Sequence, residues 1–157
     1  MRWTRGSGIR LAMTMHGTPA LDYTPSALIL ARSDAFSRDD FGFIYDSCHS
    51  QSNFRRQFTE RDDYLQFGTT SLSQDYRIVS CEILAERVAE YEAQVVFLMQ
   101  MEVHGRPQTY AELAWLRREN LAWRYHRGQK ITAEELPGNP RELSFADFAR
   151  LDPSTIF

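Results

Sequence analysis

The stretch "AEYEAQVVFLMQMEV", Ala89 to Val103, decides the fold. Its odd positions are Tyr91, Ala93, Val95, Phe97, Met99, Met101 and Val103, with no charged or amide side chain among them. Its even positions are Glu90, Glu92, Gln94, Val96, Leu98, Gln100 and Glu102, polar at both ends and apolar in the middle. Successive strand side chains point to opposite faces. The stretch therefore reads as a strand that buries one whole face and the centre of the other. Full burial of Val96 and Leu98 is worth about 1.5–3 kcal/mol each, so something has to cover them.

The same period of two extends on both sides. "YRIVSCEILAERV", from Tyr76, alternates with Val79, Cys81, Ile83 and Ala85 on one side. After a break at Gly105-Arg106-Pro107, "QTYAELAWLRRE" makes a third strand in which Tyr110, Glu112, Ala114 and Leu116 share a face. Glu119-Asn120 reads as a tight turn, and "LAWRYHRG" as a fourth strand. Consecutive strands with short connections form an antiparallel meander.

Helical spacing comes before the meander. Thr24-Pro25 supplies a cap and a first-turn proline, followed by Leu28, Ala31, Ala35 and Phe36. Phe41, Ile44, Tyr45 and Cys48 make a second apolar face. Phe54 and Phe58 suggest a short turn. Thr59 and Asp62 read as a capping box for a helix carrying Tyr64, Leu65 and Phe67, with Gly68 as a left-handed stop. Behind the meander come a turn at Thr132–Glu135 and a small helix from Ser144, with Phe145, Phe148 and Leu151 on one side. The expected fold class is α+β: three N-terminal helices on one face of a four-stranded antiparallel meander, and a short C-terminal helix. Residues 1–22 read as a flexible arm and 23–157 as one domain, with an extension from about 132.

Composition narrows the function classes. In 157 residues the net charge is −3, which gives no basic field for nucleic acid. "RRENLAWRYHRGQK" interleaves bases with Trp123 and Tyr125, but it reads as a hairpin whose basic stems cover apolar surface. No segment is apolar enough over sufficient length to suggest a membrane span. Cys48 and Cys81 have no zinc-finger spacing and read as reduced thiols in a cytoplasmic protein. Neither a metal nor another cofactor is expected.

"TPSALILARSDAFSRDDFGFIYDSCH" and "YAELAWLRRENLAWRYHRG" resemble the middle domain of the YchJ family of bacterial proteins, in the nuclear transport factor 2-like (SnoaL-like, cone-shaped) superfamily. His49, Glu112, Trp123 and Tyr125 fill positions of that pattern. The family's cysteine-rich SEC-C segments do not occur in this sequence, and its Glu-Arg-Ser is here Glu112-Leu113-Ala114. The resemblance implies a bent sheet whose concave face encloses a pocket against the helices and whose convex face often meets a second subunit. It also implies that Tyr91, Ala93, Val95, Phe97, Met99 and Met101 face the helices. Val96 and Leu98 would then form a homodimer surface, with cover by Phe145 and Phe148 as the alternative.

Pocket candidates follow. Ligand-binding candidates are Tyr45, Tyr64, Phe97, Met99, Trp115, Trp123 and Tyr125, facing a small apolar ligand. Catalytic candidates are Glu112, Tyr64 and His49. Glu112 on a concave face would be desolvated and its carboxyl pKa raised; on a convex face it would be a rim or interface charge, and its structural reading is a pair with an arginine of a neighbouring strand such as Arg77 or Arg87. His49 reads first as a helix-end cap for free carbonyls, and His126 as a solvated histidine. The functional reading is a small-molecule-binding or dimeric interaction module. The alternative is a cofactor-free isomerase, dehydratase or hydrolase using pocket acid and base residues.

Overall fold

In the computed structural model, which describes residues 23–136 and 138–157 together with Trp3, the chain opens with a capped helix. The N-terminal arm expected over residues 1–22 lies, Trp3 apart, outside the described residues. Helix α1 spans Pro25–Ser37, and Thr24 Oγ1 accepts the Ala27 N–H at 3.1 Å. The sheet caps it too, because Glu86 accepts hydrogen bonds from the Ser26 N–H and hydroxyl. A carboxylate there offsets the positive end of the helix. Helix α2, Phe41–Asp46, is capped by Asp40, and α3, Asn53–Gln57, by Ser52. The apolar face expected on α2 is buried: Phe41, Ile44, Tyr45 and the following Cys48 all lie in the interior.

Helix α4, Arg61–Phe67, departs from its expected ends. Glu60 holds the cap position and no side chain caps the helix. Thr59 lies one residue too early, and its carbonyl accepts from the Tyr45 hydroxyl at 3.2 Å. Gly68 is right-handed (φ −57°, ψ −53°), so it does not stop the helix. The chain continues through a π-helical turn, Gly68–Leu72, and the short α5, Ser73–Asp75. Glycine is needed there for another reason: a Cβ would overlap the Phe41 ring.

Strands β1 (Tyr76–Val88), β2 (Glu92–Val103), β3 (Arg106–Glu119) and β4 (Ala122–Thr132) form one antiparallel sheet in the order β1-β2-β3-β4. Ile83 pairs with Phe97, Phe97 with Glu112, and Glu112 with Lys130. The turns are His104-Gly105 and Asn120-Leu121, each with positive φ at both residues, as two-residue hairpins of the mirror-image type require. The second turn falls one residue later than Glu119-Asn120.

The β2 reading holds from Ala93 onward. Ala93, Val95, Phe97 and Met99 are buried in a core shared with α1, α2 and Tyr64, and Met101 packs at its edge. Tyr91 is a correction: it precedes the strand, in the β1–β2 turn, and is 67% exposed. The β1 reading is broken by two bulges, at Val79 and Leu84. An extra residue flips the parity beyond it. Ile78, Cys81 and Ile83 therefore face the helices, Ala85 faces away, and Val79 is 55% exposed.

The opposite face has its own apolar cluster. Val96 and Leu98 are buried with Ala111, Leu113 and Ile131 under Leu143 and Phe148. Helix α6, Phe145–Ala149, brings Phe148 over the sheet and starts with a capping box between Ser144 and Asp147. The centre of this face is thus covered within one chain. Val96 and Leu98, expected at a homodimer surface, are buried under the chain's own C-terminal segment, the cover named as the alternative.

Candidate functional site

The inner row of the sheet and α1 do not close on one another. Between them lies a cavity of about 290 Å³. Its sheet side is Ile78 from β1, Phe97, Met99 and Met101 from β2, Tyr110 and Glu112 from β3, and Tyr125 from β4. Its helical side is Ile29, Arg32 and Phe36 from α1, Ile44 from α2, and Cys48, Phe54 and Tyr64. The partly exposed Phe157 also lines it.

Two polar groups stand out in this lining. Glu112 is 5% exposed, and the Tyr125 hydroxyl donates to its Oε1 at 2.6 Å. Burial pushes the Glu112 carboxyl above its ordinary value; Lys130, the Tyr125 hydroxyl and Arg32 pull it down without cancelling the shift. Burial raises Tyr110 and Tyr125 as well, Glu112 adding to both, and pushes Tyr64 up to about 12 and the Cys81 thiol to about 11. The tyrosines keep their protons, so Tyr125 is the donor.

Arg32 is the second group. Its Nη1 donates to the Ile44 carbonyl at 3.0 Å, to the Ser47 hydroxyl and to Cys48 Sγ at 3.5 Å. Its guanidinium carbon lies 4.6 Å from the centre of the Tyr125 ring. The Ile44 carbonyl, at the end of the short α2, also accepts from the Ser47 hydroxyl at 3.1 Å.

Gly128 makes room for the pair, because a Cβ there would overlap both the Tyr125 hydroxyl and Glu112 Oε1. It also holds the C-terminal segment: Gly128 and Phe157 exchange two backbone hydrogen bonds of 2.9 Å. The Lys130 ammonium sits over the Tyr110 ring at 4.6 Å and the Phe157 ring at 4.9 Å.

Of the residues singled out in the sequence, Tyr64, Phe97, Met99, Glu112 and Tyr125 come together around the cavity. Glu112 is not paired with Arg77 or Arg87: Arg77 holds Glu102 at 2.7 Å, and Arg87 donates to Gln94. Four residues lie elsewhere. The Tyr45 hydroxyl donates to the carbonyls of Phe58 and Thr59. Trp123 is buried in the core with Arg118 over its ring, which closes it to stacking partners. Trp115 packs on the outer face and lines a smaller cavity of about 210 Å³ under α6.

His49 is the fourth. Its Nδ1 accepts from the Gln51 N–H at 3.0 Å, so a neutral ring carries its proton on Nε2, 3.6 Å from Glu119. Burial holds it below its ordinary pKa despite Glu119. It therefore fastens a loop rather than capping helix carbonyls. His126, expected in solvent, is half-buried edge-on to His49, and burial with nearby arginines pushes its pKa down to about 4. The register skip between Trp115 and Leu116 leaves His126 without a cross-strand partner.

Sequence reasoning missed Arg32, Tyr110 as a lining group, and Phe157. Arg32 follows Leu28 by four positions, which put it on the buried stripe of α1 and was the available signal. Nothing local foretells Phe157, which reaches the cavity only by pairing with Gly128.

Among the described residues, no helix is long and apolar enough to cross a membrane. Residues 24–128 match the family "YchJ, middle NTF2-like domain". A UPF0225 protein of Geobacter sulfurreducens is 27% identical over 135 residues, covering 84% of this chain and 74% of its own. The solution structure of a SEC-C motif containing protein from Rhodopseudomonas palustris superimposes with a TM-score of 0.55 at 18% identity, over 69% of this chain and 79% of its own. That last likeness concerns the fold alone.

Proposed function

The chain belongs to the YchJ middle NTF2-like domain family, and on that footing we propose that it is a small-molecule-binding module whose ligand sits between α1 and the inner sheet face. The observation that carries this reading is the cavity itself: about 290 Å³, lined chiefly by apolar and aromatic side chains, with a few polar groups converging at Glu112. Cavities of this kind are the default ligand sites of globular domains. An apolar cavity of about 150 Å³ takes benzene, so this one suits roughly ten to fifteen non-hydrogen atoms.

Binding is favoured over catalysis by the protonation states. Among the described residues Glu112 is the one side-chain carboxyl in the lining, and Tyr64, Tyr110 and Tyr125 are all shifted away from neutrality. A proton relay needs a second group able to titrate near the working pH. His49, a sequence candidate for that role, lies outside the cavity. The same reading has the protein working in the cytoplasm; Cys48 and Cys81 are free thiols, which suits a reducing compartment.

The test is a melting-temperature screen with neutral and charged two-ring aromatic probes, run on the intact chain and on Met99→Trp, which fills the cavity. At ten times the dissociation constant a bound probe adds about 1.4 kcal/mol, or roughly 3–6 °C in Tm. The shift should appear in the intact chain and vanish in Met99→Trp. No shift with any probe, or equal shifts in both proteins, refutes the reading.

A further inference from the structure

Arg32 carries a permanent charge on the wall of a largely apolar cavity. One nitrogen, Nη1, is committed to Ile44, Ser47 and Cys48. Among the described residues no acceptor takes the hydrogens of Nε or Nη2, and no carboxylate lies within ion-pair distance of the guanidinium. Arg38, Arg61, Arg77, Arg117 and Arg141 each face an acid at 2.7 to 3.4 Å. Arg32 faces no such acid, and among the described residues it is the one arginine that lines the cavity. A charge withdrawn from water without a counter-ion is costly unless a partner is supplied.

Glu112 does not supply it. Its Oε1 is engaged by Tyr125, and it stands outside ion-pair distance of Arg32. Tyr125 offers Arg32 only its ring face. Lys130, over the Tyr110 and Phe157 rings, adds a second positive charge near the cavity.

Resting on the binding reading above, we infer that the ligand is a small apolar carboxylic acid, its carboxylate on the free edge of Arg32 and its hydrocarbon part against Phe97, Met99 and Tyr110. A guanidinium fork matches a carboxylate with two parallel hydrogen bonds, which gives orientation as well as affinity. The upward shift of the Glu112 carboxyl, caused by burial, agrees with this, since it weakens the charge that Glu112 sets against an incoming anion.

The test compares three probes of one shape on the intact protein by titration calorimetry: 2-naphthoate, 2-naphthamide and 2-naphthylmethylammonium. The naphthoate is expected to bind about tenfold or more tighter than the amide, and the ammonium weakest. Arg32→Gln should bring the naphthoate down to the level of the amide while leaving the amide near its original affinity. Because Arg32 also braces α2, the variant could fail to fold; the ranking of the three probes on the intact chain then decides alone. An amide or ammonium equal to or tighter than the naphthoate overturns this inference and leaves the binding module standing. Absence of binding by all three overturns both.

Discussion

Glu112 and Tyr125 are thirteen positions apart in sequence and 2.6 Å apart in space, joined because β3 and β4 put both side chains on the inner face. The carboxyl's raised pKa is also a statement about stability. Unfolded, Glu112 loses its proton near its ordinary value of 4.5; folded, it holds the proton to higher pH. The native state then binds more protons than the unfolded one, so stability falls as pH rises. The contribution is fully present below pH 4.5 and is lost on the way up through the folded pKa. The slope is at most about 1.4 kcal/mol per pH unit. Glu112→Gln keeps an oxygen for Tyr125 and removes the titration. The expected outcome is a Tm that declines above pH 5 for the natural chain and declines less for the variant, read by melting curves at half-unit intervals to pH 8. Parallel curves for the two proteins contradict the assignment. That Glu112 points inward was half legible: it alternates with Tyr110, Ala114 and Leu116, but which face was the inner one depended on register. Phe97 opposite Glu112 settles it, because Phe97 sits in the helix-facing core.

At the level of elements, legibility followed regularity. Strand β2 pairs with both neighbours without a slip of its own against β3, and its alternation translated directly into two faces from Ala93 onward. Strand β1 also alternates but has two bulges, which no side-chain pattern announces, so Val79 and Ala85 do not share the face of Cys81 and Ile83. The turns were legible where the residue suits the backbone. Gly105, with φ 77°, is such a case. Leu121 is the opposite case: it takes φ 68° in the β3–β4 turn and is 79% exposed, with no burial to compensate. A left-handed conformation costs a residue bearing a Cβ roughly 1–2 kcal/mol, and glycine gives part of that back through its greater freedom when unfolded. Leu121→Gly should therefore stabilise the chain by about 0.5–1 kcal/mol, seen as a higher denaturation midpoint at unchanged slope. A lower midpoint shows that the exposed Leu121 makes contacts that outweigh the strain.

For the whole molecule, the decisive feature is that one sheet organises two apolar clusters and the chain supplies cover for both. The helices cover the inner one. The segment after β4 covers the outer one, held by Arg141 to Glu82 at 3.0 Å, by the Gln129 amide donating to the Asp152 carbonyl and Thr155 hydroxyl, and by the Gly128–Phe157 pair. The opening stretch showed that Val96 and Leu98 needed a lid, but the lid lies some fifty residues downstream, and its side chains suit a second subunit equally well. In the folded chain the chain's own Leu143 and Phe148 lie over Val96 and Leu98. Removing residues 140–157 takes away Leu143, Phe148 and Phe157 together. It leaves Val96, Leu98, Ala111, Leu113 and Ile131 facing water, an apolar surface of the kind that drives association. At about 1.5–3 kcal/mol for each side chain that regains cover, pairing through the sheet becomes strongly favourable. The shortened chain is expected to sediment at twice the single-chain mass or more, rising with concentration, relative to the intact chain at equal concentration. If the two behave alike, the C-terminal segment is not the lid of the outer face. Loss of Phe157 in the same variant also removes one wall of the inner cavity, so probe affinity should fall as self-association rises.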